Sequence, residues 1–330
     1  MTHIPVPPPP AHRFTFTVIG GDGRMTHLAE RLAEEGHSVN LLGCGQDCLP
    51  ARDRTLDLRI CSTLQKAIEN TNVLILPLPA TRDGATVHCP RDPDLTVSLD
   101  ELSSHLSRHP DAILFGGKLP REFVQGDTER SPRIIDYYGN QVLRLRNAYI
   151  TAEAALMTAM ELTDRTLRDT SVAVLGYGRI GKYLARLLHT LGADVTVCAR
   201  REESLFEAAS EGCHPLLITE NDSMNGLRPL CRNHAILFNT IPSHIMTREL
   251  LTGLERDTLL IDLASSPFGV CDGDVREATA RNDLRYLRAP SLPGSYAPRD
   301  AGRILAECIL DTLTRRGSVP EDFIEGGKQA

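Results

Sequence analysis

No apolar run in this sequence approaches the ~20 residues that a membrane-spanning helix needs, so neither a transmembrane segment nor a membrane partner is expected. The opening stretch, MTHIPVPPPPAHR, has neither the basic start nor the apolar centre of a secretory signal. Its four consecutive prolines, Pro7 to Pro10, mark residues 1–13 as a stiff, solvated tail outside the fold. Positive charge is not in excess either. Lys and Arg number 36 against 43 Asp and Glu, giving a net charge of -7 and a pI near 5.9. Phosphate backbones call for a basic face, so nucleic acid is not an expected partner. Lysine is scarce, at four of the 36 basic residues, and arginine dominance alone carries no functional reading. The nine cysteines lack the paired framework of a disulfide scaffold, which fits a reducing, cytoplasmic setting. Cys44 and Cys48, with Cys61 further on, are not spaced as a standard ligand pair. Small buried thiols are expected there, and no metal.

What is present suffices for two folded domains. The chain has 330 residues, 41% of them apolar, and domains commonly take roughly 100–200 residues each. Short apolar runs followed by Gly or Pro read as strands: 14–19, 38–42, 73–77 and 112–115, then 171–175, 193–198, 235–238 and 258–261, with 216–218 as an edge piece. Helical patterns cover 25–35, 150–167, 179–188 and 301–314. Strands alternating with helices imply crossover connections and parallel sheets covered on both faces. The expected fold is therefore α/β: two Rossmann-like, doubly wound parallel-sheet domains joined by a long helix. Residues 14–146 form the N-terminal substrate or catalytic domain, 147–169 the linking helix and 170–299 the nucleotide-binding domain. The C-terminal helix, 301–316, is free to return to the first domain.

The segment SVAVLGYGRIG carries the chemistry. Gly176, Gly178 and Gly181 make a complete G-x-G-x-x-G between a strand and a helix, the context that the dinucleotide fingerprint requires. Gly176 serves the tight turn, Gly178 the close approach of a pyrophosphate and Gly181 the packing of helix on sheet. Tyr177, Arg179 and Ile180 lie near the pyrophosphate by position, at a helix N-terminus whose N–H groups favour anions. An NAD site usually carries a carboxylate about 20 residues further on. Here Arg200 and Arg201 stand there, and no carboxylate comes before Glu202. Two guanidinium groups suit a 2′-phosphate, so NADP(H) is favoured over NAD(H). A solvated arginine pair at a strand end is the plainer alternative.

The first glycine cluster, VIGGDGRM, is incomplete. Gly21 and Gly23 match, but position 26 is Thr, and no ribose-binding acid follows Asn40. A sheet-to-helix turn explains it better than a second nucleotide. Arg24, just inside that helix, remains a candidate for an anionic substrate.

With these motifs in view, the chain resembles the family of the dipicolinate synthase A-subunit. The resemblance runs from about residue 14 to residue 315 through GGDGR (20–24), ILPLPATRDG (75–84), NAYITAEAALMTAM (147–160), the glycine segment (172–200), NTIPS (239–243), LIDLASSPFG (260–269) and APSLPGSYAPRDAGRIL (289–305). It implies oxidation of a dihydropyridine, dihydrodipicolinate, to pyridine-2,6-dicarboxylate in endospore formation, beside the flavoprotein-like B-subunit of the same synthase. Broader relatives are two-domain dehydrogenases for 2-hydroxy acids, which keep a catalytic His in the loop that reads APSLPGSYAP here. That His is missing, which disfavours a hydroxy-acid reaction; a 2-oxo or 2-imino acid dehydrogenase and a cofactor-binding scaffold without chemistry are the alternatives. A homodimer is left open.

The resemblance implies roles. A dianionic substrate calls for cations at strand ends, so Lys118, Thr81, Arg82 and Arg24 are substrate candidates, each against a solvated-loop reading. Asn147, Thr151 and Glu153 enter the linking helix, where Asn147 or Thr151 would cap it and Glu153, one turn in, would be a general base or a charge favoured at a helix start. Thr240, Ile241 and Pro242, together with Asp262, Leu263, Ala264 and Ser265, flank the adenosine and nicotinamide, with Asp262 equally able to organise backbone. Pro293 and Gly294 shape the cofactor wall.

Overall fold

The computed structural model describes residues 13–45, 56–125, 133–218, 226–282 and 285–317. The proline-rich stretch 1–12 and Cys48 lie outside them. The chain divides into two units, one running up to Arg144 and resuming at Ala297, the other spanning Leu145–Tyr296.

The first unit is built on strands β1 (Thr15–Ile19), β2 (Ser38–Leu42), β3 (Leu58–Ile60), β4 (Val73–Ile75), β5 (Ile113–Gly116) and β6 (Ile134–Asp136). They form one parallel sheet in the order β3-β2-β1-β4-β5-β6. Its helices are α1 (Gly23–Glu34), α2 (Leu64–Ile68), α3 (Leu99–Arg108) and α4 (Arg121–Gln125). Phe16, Val18, Ile19, Leu74 and Ile75 are fully buried, as strands covered on both faces must be.

After α5 (Gln141–Leu162), the second unit repeats the plan with β7 (Ser171–Leu175), α6 (Arg179–Thr190), β8 (Asp194–Ala199), α7 (Glu202–Ser210), β9 (His214–Leu217), α8 (Leu230–Asn233), β10 (Ile236–Asn239), α9 (Arg248–Thr252), β11 (Leu259–Asp262), α10 (Asp272–Asn282), β12 (Arg285–Arg288) and α11 (Leu292–Tyr296). Its sheet is parallel in the order β12-β11-β10-β7-β8-β9. Counted from the first strand of each unit, the two orders are the same. Both sheets reverse direction beside their first strand, between β1 and β4 and between β7 and β10, where doubly wound sheets place ligands.

Three strands are not visible in the sequence as apolar runs: β3, β6 and β12. The linking helix also differs from expectation. It spans Gln141–Leu162 rather than 147–169, because the Asn140 side chain accepts the Leu143 N–H at 3.0 Å and starts the helix there. Beyond its last residue, the Thr163 hydroxyl accepts the Arg165 N–H at 3.3 Å in a turn. The division between the units falls inside α5.

The last helix, α12 (Pro298–Gly317), belongs to the first unit and packs along α1. Gly302 allows this close approach, since a Cβ there would meet the backbone Arg24 O at 2.5 Å and Leu28 N at 2.7 Å. No helix among the described residues is long and apolar enough to cross a membrane.

Candidate functional site

The glycine turn of the second unit leaves β7 at Gly176, whose φ of +98° lies where side chains are rarely tolerated. A Cβ there would meet Thr240 Oγ1 at 2.5 Å and Ile241 Cγ1 at 2.8 Å, while one on Gly181 would collide with the Gly176 carbonyl. At Gly178 the space is open. Gly178 is also the N-cap of α6, and no side chain caps that helix. Its first N–H groups therefore face an open surface, the arrangement that accepts a phosphate.

A cavity of about 690 Å³ opens beside the turn. Gly176, Tyr177 and Gly178 form one wall, Arg200 and Arg201 at the end of β8 another, and Thr240, Ile241 and Pro242 after β10 a third. The Tyr177 side chain turns away from solvent and is only 4% exposed. Its hydroxyl donates to Glu211 Oε2 at 3.1 Å, and burial, followed by the Glu211 carboxylate, pushes its pKa up. Glu211 in turn pairs with Arg186. The tyrosine thus anchors the turn to α6 and α7 and presents backbone to the cavity. Thr240 does similar work, donating its hydroxyl to the Leu175 carbonyl at 3.0 Å.

Other expected cofactor residues stand elsewhere. Asp262 is fully buried and organises backbone. Its oxygens accept Asn239 Nδ2 at 2.8 Å, Ala264 N at 3.1 Å and Gly269 N at 2.8 Å. Leu263 and Ala264 are buried, and Pro293 and Gly294 sit buried in α11. None of these, nor Ser265, lines the cavity, and Arg179 and Ile180 begin α6 beside it without lining it. Sequence reading missed Ala199, Glu202, Ser204, Leu217 and Ile218, which do line it. Leu217 is an apolar side chain 42% exposed at a strand end, a signal hidden until β9 was placed.

The corresponding turn in the first unit is already filled. The Gly21 N–H donates to the His88 carbonyl at 2.9 Å. A Cβ on Gly20 would meet Cys89 Sγ at 2.7 Å and the His88 carbonyl at 2.8 Å. Helix α1 is capped by Asp22, whose carboxylate accepts the Arg24 N–H at 3.1 Å and holds its guanidinium through Nε at 2.8 Å and Nη2 at 2.7 Å. Arg24 Nη2 also donates to the Leu78 carbonyl at 2.8 Å. Arg24 is therefore a buried partner of the cap, 5% exposed, rather than an open cation.

Thr81 and Arg82 lie in the loop after β4. The Thr81 hydroxyl donates to Asp83 Oδ1 at 2.8 Å and accepts the Gly84 N–H at 2.9 Å, so it shapes the turn. Arg82 is exposed. Lys118 follows β5 with φ +55°. Its N–H donates to Asp136 Oδ1 at 3.0 Å and its ammonium lies 5.1 Å from the Tyr138 ring centroid.

Asn147, Thr151 and Glu153 are not at a helix entry. They lie in the interior of α5, six to twelve residues past its first residue, Gln141. The buried Thr151 hydroxyl donates back to the Asn147 carbonyl at 2.8 Å. At about 100° per residue, Glu153 points about 120° away from Asn147. It sits instead against the exposed Tyr149 hydroxyl, whose pKa its negative charge raises. Among the described residues, no group of three or more His, Cys, Asp or Glu side chains is placed to hold a metal ion.

Residues 15–138 match the family described as the N-terminal domain of the dipicolinate synthase A-subunit. The dipicolinate synthase A-subunit of Bacillus subtilis is 30% identical over 301 residues, covering 90% of this chain and 95% of that protein. The crystal structure of the dipicolinate synthase A-subunit from Bacillus halodurans superimposes with a TM-score of 0.74 at 27% identity, over 91% of this chain and 97% of that one. A transhydrogenase from Sinorhizobium meliloti shares the fold alone, with a TM-score of 0.61 at 12% identity over 91% and 92% of the two chains. With an incomplete, self-filled glycine turn in one sheet, a complete and open one in the other, and these matches along nine-tenths of its length, the chain belongs to the family of the dipicolinate synthase A-subunit.

Proposed function

We propose that the chain is an NADP(H)-dependent oxidoreductase that converts dihydrodipicolinate, derived from 4-hydroxy-tetrahydrodipicolinate, into pyridine-2,6-dicarboxylate during endospore formation. One observation carries the cofactor reading: α6 starts at a glycine with open space and no capping side chain, beside a large cavity. A nicotinamide dinucleotide, when bound, supplies the hydride-accepting ring. Gly176, Gly178 and the first N–H groups of α6 would hold its pyrophosphate, Arg200 and Arg201 its 2′-phosphate, and Thr240, Ile241 and Pro242 its flank. Glu202 lines the same wall and supports a second reading, in which a carboxylate takes the ribose hydroxyls of NAD(H).

On the first unit, Lys118 and Arg82 are the proposed cations for a dianionic substrate, and Glu153 on α5 the proposed base. Aromatisation supplies the drive, so the chain need only bind, orient and take a proton. The Bacillus subtilis relative is named as one lettered component of a synthase, which supports a partner, the flavoprotein-like B-subunit. The eight described cysteines are all free thiols, which supports a reducing cytoplasm.

A purified-chain assay tests the reading. Dipicolinate absorbance should rise with NADP⁺ and no partner present. Dinucleotide binding without turnover, restored by the B-subunit, would leave only a scaffold role. Glu153→Gln should lower turnover more than tenfold with cofactor affinity unchanged.

A further inference from the structure

The loop after β4 holds a small cavity of about 240 Å³, lined by Arg82, Asp83, Thr86, His88 and Cys89 among others. It has about a third of the volume of the glycine-turn cavity, which suits a small acid and excludes a nucleotide. Its walls are fixed by the backbone. His88 donates its N–H to the Ala80 carbonyl at 2.8 Å and accepts the Gly21 N–H at 2.9 Å. Thr81 pairs with Val87, and Thr86 with Ser98, in antiparallel bridges. The loop carboxylate is consumed internally: Asp83 accepts the Thr81 hydroxyl at 2.8 Å, Ala85 N at 2.9 Å, Thr86 N at 2.8 Å and the Thr86 hydroxyl at 2.5 Å.

Two groups able to carry positive charge, Arg82 and His88, are left among the lining residues, beside the Cys89 thiol, whose pKa burial raises. Among the described residues, neither the Arg82 guanidinium nor the His88 imidazole makes a side-chain hydrogen bond or ion pair. We propose that Arg82 and His88 form a carboxylate-binding subsite for a small unsaturated dicarboxylic acid, Arg82 supplying the charge and His88 a hydrogen bond. The choice of dicarboxylate rests on the reaction proposed above; the anion site itself does not.

Burial first, then the Arg82 charge, lowers the His88 pKa; Asp22 opposes this and Arg24 adds to it. Without a ligand, these surroundings disfavour the imidazolium. A bound carboxylate favours the imidazolium, so binding takes up a proton and must tighten as the pH falls toward the acid side of neutrality.

Calorimetric titration of the full chain with dipicolinate and with benzoate, in metal-free buffer at pH 5.5 and 8, tests this. Wild type should bind both acids, at least threefold more tightly at pH 5.5. Arg82→Gln should weaken binding more than tenfold at both pH values. His88→Gln should abolish the pH dependence while keeping the wild-type melting temperature and NADP⁺ affinity, and His88→Asn serves if that variant fails to fold. Binding in Arg82→Gln and His88→Gln equal to wild type overturns the subsite, even if dihydrodipicolinate is turned over. A wild type that does not turn over dihydrodipicolinate, yet binds benzoate in a way that Arg82→Gln removes, leaves the subsite standing and rejects the reaction. A wild type that binds neither acid overturns the subsite.

Discussion

Arg200 and Arg201 close strand β8 at the mouth of the glycine-turn cavity, and Glu202 follows them on the same wall. A guanidinium there gains from a 2′-phosphate what it cannot gain from a hydroxyl, because charge-assisted bonds are roughly twice as strong as neutral ones. Arg201→Ala should therefore weaken binding of NADP⁺ about tenfold or more, about 1.4 kcal/mol, and leave NAD⁺ affinity within about twofold. Calorimetry with both dinucleotides checks this, and equal losses for the two would move the discrimination to Glu202. The same scale explains what sequence left hidden. Asp262 occupies a strand end where a ligand contact and a backbone-organising role are equally open from sequence, and its burial and its bonds to Asn239, Ala264 and Gly269 turn it inward. Spacing along the chain places a residue at an edge but does not say which way its carboxylate faces. His88 is hidden for a related reason. Nothing in PLPATRDGATVHCP marks it until Asp83 folds the loop over Gly21.

At the scale of elements, α12 packs along α1 within the first unit, with Gly302 against the α1 backbone. A side chain at Gly302 would meet α1 backbone atoms, which cannot swing away as a flexible side chain can. Gly302→Val should destabilise the protein by about 1–3 kcal/mol, read as a lower urea midpoint. An unchanged midpoint would mean that α12 is held by its flanks and not by this contact. Strands are legible where they are buried on both faces, as in SVAVL and VLI, because there the apolar run is unbroken. Strands β3, β6 and β12 escape because LRI and RYLR are partly exposed edge pieces and IID is three residues long. The linking helix is legible in existence but not in extent. Asn147 looks like a cap, whereas Asn140 provides it and Asn147 lies inside the helix.

At the scale of the whole molecule, one strand order is used twice and the two copies are finished differently. In the second, the helix after the first strand starts at an uncapped glycine. In the first, Asp22 caps the helix and His88 takes the Gly21 N–H. Amide hydrogen exchange with and without NADP⁺ should report that contrast. Protection is expected across residues 176–182 and not across residues 20–26, and equal protection of the two turns would contradict it. A sheet that brings its own carboxylate to its helix start has no seat left for a visiting phosphate. Saturation with dinucleotide should accordingly end at one equivalent per polypeptide, so a simple optical titration would count competent molecules in any preparation.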